Sequence, residues 1–267
     1  MTMRALVLLL TMSLTAAGAH AQAAREEITV FAAGSLRAAM TEVAKAFEAA
    51  EPKASVKLVF GASGLLKDRI AGGEHADVFA SANMAHPQAL AAAGKASPVK
   101  RFARNTLCAL VAPRLAVTPE TLVDRMLDPA VKLGMSTPKA DPSGDYAMLM
   151  YERIGQQRAG AFEALDAKAL RLTGGPNSPP PPPGKSVYGV LVAGGDADIF
   201  ITYCTNALIA VAEQPGLKSV AVPDAINVGA DYGVAVIGNA PAAQRFVDFL
   251  LGPPGVAILK RQGFVPG

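Results

Sequence analysis

The stretch ITVFAAGSL at residues 28–36, together with FGASG at residues 60–64, decides the fold class of this chain. Each stretch begins with β-branched or aromatic residues, ends in Gly and Ser, and leads into a segment with helical periodicity. Each is therefore predicted to be a strand that delivers backbone N–H groups and one hydroxyl to the start of a helix. Free N–H groups at a helix start bind anions without a basic side chain. Two such turns predict a site for a small oxyanion.

Strand and helix patterns alternate along nearly all of the remaining chain. The clearest predicted strands lie at residues 28–32, 56–60, 106–112, 199–203 and 232–237. This alternation is typical of an α/β protein in which mostly parallel sheets carry helices on both faces. We expect two lobes, lobe 1 from residues 28–104 plus 229–267 and lobe 2 from 105–228. The tail from residue 229 has no further strand-helix unit to pair with, so it is expected to return to the first lobe. A ligand cleft is then expected between the lobes.

The N-terminus has the pattern of an export signal. Arg4 precedes an apolar run, and Ala19-His20-Ala21 fits the small-x-small pattern at which signal peptidase cleaves. The alternative is a retained membrane anchor, but the apolar run is too short for a comfortable span. We therefore predict a signal peptide at residues 1–21, cleavage after Ala21 and a periplasmic location.

Composition and charge argue against several classes of function. The net charge is only +3 and the basic residues are scattered, which argues against a nucleic-acid partner. The chain has three histidines, no Gly-x-Ser-x-Gly elbow and no cluster with the spacing of metal ligands. Asp196 and Asp198 precede a predicted strand and are typical of a turn. We expect a monomer that is not an enzyme and that binds neither a cofactor nor a metal cation.

Cys108 and Cys204 lie far apart in the sequence, in a spacing unlike that of a zinc site. In an oxidising compartment they could form a disulfide. The alternative is two small buried side chains, since both lie at predicted strands. The sequence leaves both alternatives open because it does not fix the distance between the two Cα atoms.

An ordered series of short motifs indicates a family. These motifs are TVFAAGSL at 29–36, ADVFASA at 76–82, NTL at 105–107, PSG at 142–144 with Tyr146-Ala147, LLGP at 250–253 and Gly263-Phe264. Over nearly the whole mature chain, the series resembles the periplasmic molybdate-binding proteins of ABC importers. The resemblance implies a type II periplasmic-binding-protein fold that closes on a tetrahedral dianion and delivers it to a membrane permease.

The resemblance also implies a set of ligand-binding residues. Serine hydroxyls, backbone N–H groups and one tyrosine hydroxyl hold the anion in that family. In this sequence the hydroxyl donors would be Ser35, Ser63 and Tyr203, and the backbone donors Ser143 and Val187. A site of donors alone favours fully deprotonated oxyanions such as molybdate and tungstate, because hydrogen phosphate would bury its own proton unpaired. Cavity size would then separate molybdate from sulfate.

Other readings of these residues stay open. Ser35 and Ser63 are also suited to capping helices, and Tyr203 to packing in a core. Asp145 departs from the family pattern, either as a carboxylate beside the anion or as a favourable charge in the first helical turn. The rigid proline run Pro179–Pro183 is also unusual, and its position suggests that it shapes one rim of the cleft. Arg37 or Arg69 could instead pair with a small organic anion, and sulfate is a further alternative.

Overall fold

The structure is a computed structural model that describes residues 25–179 and 183–267. The predicted signal peptide and the middle of the proline run lie outside the described residues. The strands are β1 (Glu26–Ala33), β2 (Ala54–Gly61), β3 (Val78–Ser81), β4 (Lys100–Asn105), β5 (Leu107–Val111), β6 (Leu133–Ser136), β7 (Leu170–Thr173), β8 (Ile199–Tyr203), β9 (Lys218–Ala221), β10 (Ala230–Val236) and β11 (Val265–Pro266). The helices are α1 (Arg37–Ala50), α2 (Ser63–Ala71), α3 (Ala85–Ala92), α4 (Leu122–Leu127), α5 (Pro142–Gln157), α6 (Ala161–Lys168), α7 (Val187–Ala193), α8 (Cys204–Glu213), α9 (Pro241–Leu251) and α10 (Pro253–Arg261).

Lobe 1 is built around a six-stranded sheet in the order β11-β4-β10-β3-β1-β2. Strand β1 is parallel to β2 and β3, whereas β10 runs antiparallel to β3 and β4. The tail is fixed to this lobe by aromatic packing as well as by β10. The ring of Phe47 in α1 meets Phe246 and Phe249 of α9 edge-on, with centroids 5.3 and 5.6 Å apart. Such edge-to-face pairs stabilise a core beyond the area that they bury.

Lobe 2 is built around a five-stranded sheet in the order β7-β6-β8-β5-β9. Strand β6 is parallel to β7 and β8, and β5 is antiparallel to β8 and β9. The α/β two-lobed fold is confirmed, but both sheets are mixed rather than mostly parallel. Strands β5 and β10, which follow the crossovers between lobes, each enter their sheet antiparallel to both neighbours.

Two crossovers join the lobes, one between β4 and β5 and one between β9 and β10. The side-chain amide of Asn227 in the second crossover ties them together. Its Oδ1 accepts the N–H of Leu107 at 3.1 Å, and its Nδ2 donates to the carbonyl of Leu107 at 3.1 Å. The two crossovers therefore lie side by side, as a hinge requires. The exact lobe boundaries given above stay a prediction.

Cys108 and Cys204 form a disulfide, which decides between the two alternatives left open by the sequence. Antiparallel pairing of β5 with β8 places Cys108 opposite Thr202. The N–H of Cys204 then donates to the carbonyl of Thr106, and the two cysteine Cα atoms lie 4.7 Å apart. This distance is within the range that a disulfide can bridge.

Four of the described strands and helices were not predicted from the sequence: β4, α6, α8 and the two-residue β11. Strand β4 is partly exposed and rich in basic residues, so its alternation is weak. Helix α8 begins directly after β8 with no intervening loop, and the apolar run hides the change of period. Among the helices of the described residues, none combines the length and the apolar character that crossing a membrane requires.

Candidate functional site

A cavity of about 140 Å³ lies between the lobes. Lobe 1 contributes the turns that follow β1, β2 and β3, and lobe 2 contributes the segments that follow β6, β7 and β8. Ligands of α/β proteins characteristically bind outside the carboxyl ends of parallel strands. Drug-sized ligands need roughly 300–1,000 Å³, so this cavity suits a much smaller molecule.

Ser35 lines the cavity at the end of β1. The turn Gly34–Leu36 is a short 3-10 helix, and α1 follows it with Leu36 at the N-cap position. The Ser35 hydroxyl lies 3.0 Å from the hydroxyl of Tyr232. The expectation that Ser35 caps a helix is therefore wrong, because the 3-10 turn moves the start of α1 beyond it.

Ser63 also lines the cavity, and it is the first residue of α2 rather than its cap. Its Oγ accepts the N–H of Ala82 at 3.1 Å. An oxygen that accepts this bond still has its own O–H to donate into the cavity. Ala82 itself lines the cavity. Ala82 was not predicted, because it takes part through backbone groups, which carry no side-chain signal in the sequence.

Tyr203 reaches the cavity from the end of β8, although its side chain is almost fully buried. Its hydroxyl donates across the cleft to the carbonyl of Ala82, at a long 3.4 Å. Burial raises the pKa of Tyr203 well above its ordinary value, so the hydroxyl keeps its proton and can donate it. Tyr203 packs against Tyr232, with ring centroids 5.5 Å apart.

Val187 lines the cavity as the first residue of α7. The hydroxyl of Ser186 caps this helix by accepting the N–H of Gly189 at 3.3 Å. The N–H of the first helical residue has no partner within its own helix. Its place on the cavity wall agrees with a donor role for Val187.

Ser143 is the predicted site residue that lies away from the cavity wall. Its N–H donates to Oδ1 of Asp141 at 3.0 Å, and its own side chain is fully buried. Asp141 is the N-cap of α5 and lines the cavity in its place. The predicted role of Ser143 as a backbone donor therefore does not fit this arrangement, because its N–H already has a partner.

The Asp141 carboxyl fits closely against Gly174, which also lines the cavity. A Cβ at Gly174 would lie 2.5 Å from Asp141 Oδ2, and the φ of Gly174 is +74°, so only glycine suits this position. Burial raises the pKa of Asp141 to about 6, opposed by the Ser143 N–H and reinforced by the charge of Asp145. The cavity therefore contains an acceptor, and the expectation of a site with donors alone is wrong.

Asp145 lies in the first turn of α5, where its carboxylate stabilises the turn before that helix and does not line the cavity. Its Oδ1 accepts the N–H of Lys139 at 2.6 Å. Lys139 has a φ of +68°, which is uncommon for a residue other than glycine. The next residue, Ala140, contacts the other lobe: its carbonyl accepts the N–H of Gly64 at 2.8 Å. This bond and the Tyr203–Ala82 bond hold the lobes together in a closed arrangement.

Arg37 lines the cavity and remains exposed. Its guanidinium lies over the ring of Phe60, 4.3 Å from the centroid. Arg69 is directed elsewhere, over Phe31 at 4.7 Å and paired with Glu74. Of these two candidate cations, Arg37 therefore lines the cavity and Arg69 does not. Pro179, the first residue of the proline run, also lines the cavity.

The arrangement is suited to holding a small anion. Hydroxyls and helix-start N–H groups from both lobes converge on one cavity, with the cation of Arg37 beside them. Within residues 25–179 and 183–267, no group of three or more His, Cys, Asp or Glu side chains could hold a metal cation.

Comparison with known proteins gives a family. Residues 28–265 match the family described as bacterial extracellular solute-binding protein. The chain is 35% identical to an uncharacterized protein of Pasteurella multocida over 240 residues, covering 89% of this chain and 98% of that protein. It is 30% identical to the molybdate-binding protein ModA of Escherichia coli over 263 residues, covering 93% of each chain.

The fold also matches a solved structure. The periplasmic molybdate-binding protein of Azotobacter vinelandii superposes with a TM-score of 0.72 at 21% identity, covering 89% of this chain and 98% of that chain. At this identity the likeness concerns the fold alone.

Proposed function

Since this chain belongs to the bacterial extracellular solute-binding proteins, we propose that it captures molybdate, and tungstate of similar size, and delivers it to the membrane permease of an ABC importer. Membership of a family of binding proteins agrees with the expectation that the chain is not an enzyme. A relative at 30% identity over 93% of the chain is a molybdate-binding protein, which supports the choice of anion.

The observation that carries this proposal is the convergence of uncharged donors from both lobes on a cavity of about 140 Å³. Ser35, Ser63, Val187 and Tyr203 all line it. Hydrogen bonds to a charged group contribute about 1.5–3 kcal/mol each. These donors compensate for much of the hydration that a small dianion loses on entry, with the Tyr203 hydroxyl exchanging its long bond to Ala82 for one to the anion.

We expect purified protein, stripped of ligand, to bind molybdate and tungstate more tightly than sulfate and phosphate near pH 6. Titration calorimetry with each of the four anions measures this preference directly. Equal or tighter binding of sulfate or phosphate would contradict the choice of molybdate while leaving oxyanion capture intact.

Ser35→Ala and Ser63→Ala are each expected to weaken molybdate binding by about 1.5–3 kcal/mol, the value of one charge-assisted hydrogen bond. Neither serine caps a helix, so no loss of stability from capping is expected. Calorimetry gives the affinity and thermal unfolding gives the stability. The matched control is Ser219→Ala, which removes an exposed hydroxyl on β9. Unchanged affinity in both cavity variants would place the site elsewhere.

A second candidate ligand is a small organic anion that carries a carboxylate or phosphate. The observation that favours it is Arg37, whose guanidinium faces the cavity over Phe60. Arginine is well suited to pairing with such groups in a two-pronged manner. The same calorimetric series with Arg37→Gln separates the candidates. An organic anion would lose its binding in this variant, whereas an oxyanion held by uncharged donors would keep most of its affinity.

A further inference from the structure

Among the described residues that line the cavity, Asp141 is the only one with a carboxylate. It lies on the same wall as Tyr188 and Tyr203, where an anion is to be bound. Its Oδ1 is occupied by the N–H of Ser143, and its Oδ2 packs against Gly174. A negative charge at this place opposes the capture of a dianion, so it needs an explanation.

Charged and titratable groups face Asp141 from several elements. In addition to burial, the charge of Asp145, on the helix that Asp141 caps, raises the pKa of Asp141. In addition to burial, the charge of Asp141 in turn raises the pKa values of three tyrosines, which are Tyr188 of α7, Tyr203 of β8 and Tyr232 of β10. Burial raises the pKa of all three phenols, so they face Asp141 as neutral groups. Arg37 is the cation on the cavity wall. One cation does not neutralise both a carboxylate and a dianion.

We infer that Asp141 takes up one proton when the oxyanion binds, so that each captured dianion enters the cavity together with a proton on this carboxyl. The inference rests on the proposed function. The proton comes from solvent and forms an O–H on the carboxyl, while Oδ1 continues to accept the Ser143 N–H. The protonated carboxyl then becomes one more donor beside Ser35, Ser63 and Tyr203.

The relative size of two effects favours uptake of the proton. Burial already raises the pKa of Asp141 to about 6, so protonation at pH 7 costs about tenfold in affinity. Repulsion between two unit charges about 4 Å apart in a protein costs on the order of several hundredfold. Protonation is therefore the smaller cost at neutral pH.

The same carboxyl affects selectivity. A site with donors alone has no partner for the proton of hydrogen phosphate or a similar monoprotonated anion. Asp141, when ionised, is an acceptor for that proton. The protein can thus admit a dianion with proton uptake or a monoprotonated anion without it.

The experiment is calorimetry of molybdate binding between about pH 6 and pH 8.5, in buffers of different ionisation enthalpy. The wild-type protein is expected to take up about one proton per molybdate at pH 7.5 and above, and its affinity should fall about tenfold per pH unit. Asp141→Asn should take up no proton and show a flat profile. Asparagine keeps the N-cap and its amide can donate, so this variant should bind molybdate more tightly than the wild type at pH 8.5.

His86 of α3 provides the matched control. It is half-buried, and the charge of Asp145 in the other lobe acts on it. Its protonation could therefore also favour closure at low pH. His86→Gln should keep the proton uptake and the slope of the wild type. Loss of both in His86→Gln would assign the proton to the histidine and overturn the inference.

A measurement without ligand completes the test. Asp141 has a pKa of about 6 in the folded protein against an ordinary value of 3.8. The folded state therefore holds a proton that the unfolded state has lost, and stability falls as pH rises through this window. Asp141→Asn should remove that fall. Molybdate binding without proton uptake overturns the inference alone, whereas no binding at any pH contradicts the proposed function as well.

Discussion

Replacing Gly64 by alanine is expected to weaken binding of the oxyanion about 10- to 100-fold while the empty protein keeps its stability. Gly64 lies in the first turn of α2 and touches the other lobe. A Cβ there would lie 2.5 Å from the carbonyl oxygen of Lys139 and 2.6 Å from that of Ala140. Both are backbone atoms, so the added methyl must push the lobes apart. Ligand binding favours the closed state only to the extent that the lobes can reach it.

Larger side chains should increase the effect. Gly64→Val is expected to weaken binding by more than about 3 kcal/mol, since each added methyl meets the same backbone. Small-angle scattering with saturating molybdate should show compaction of the wild type and a smaller change in the variants. Ser219→Val is the control, because it enlarges an exposed side chain on β9, away from the contact between the lobes and from the crossovers. Wild-type affinity in Gly64→Val would mean that the bound state is not the closed arrangement described here.

Removing the disulfide is expected to lower the free energy of unfolding by about 2–5 kcal/mol. Cys108 and Cys204 are separated by 96 residues in sequence, so the bond closes a long loop in the unfolded chain. Long loops lose the most conformational entropy when closed. The bond also fixes the start of α8 beside β5, directly after Tyr203. The double variant Cys108→Ser with Cys204→Ser leaves no free thiol and tests the bond without side reactions.

Guanidinium unfolding with and without reductant measures this effect. The wild type should lose stability when reduced, and the double variant should show the lower stability under both conditions. Thiol labelling of the reduced wild type confirms that the bond was broken. An unchanged unfolding midpoint in the fully labelled protein would contradict the expectation.

Much of the fold was predictable because its signals are local. The turns after β1 and β2 each carry Gly and Ser at a change of period; both were predicted to form the anion site, and both line the cavity. The direction of β5 and β10 was not predictable in this way, since it depends on how the chain crosses between lobes. The disulfide was undecided for the same reason: the pairing of β5 with β8 brings Cys108 and Cys204 together.

The candidate site was predictable where side chains carry the chemistry and harder where the backbone does. Ser35, Ser63 and Tyr203 have hydroxyls at strand ends, and all three line the cavity. Ala82 contributes through its backbone, which has no signature in the sequence. Asp141 and Asp145 lie two residues on either side of Ser143, and which of them would lie at the cavity was the hardest point to predict. Asp145 was singled out, whereas Asp141 faces the cavity, because α5 begins at Pro142 and turns its N-cap inward.

The place of β10 in lobe 1 has a consequence for how the protein folds. This strand lies between β3 and β4, inside the sheet rather than at its edge, yet it comes after the whole of lobe 2 in the chain. Because synthesis begins at the N-terminus, β3 and β4 are made long before β10, the strand that pairs with both of them. Lobe 2 is continuous and can complete its sheet earlier. We therefore expect the second lobe to assemble before the first, with the cleft forming once β10 has joined its sheet.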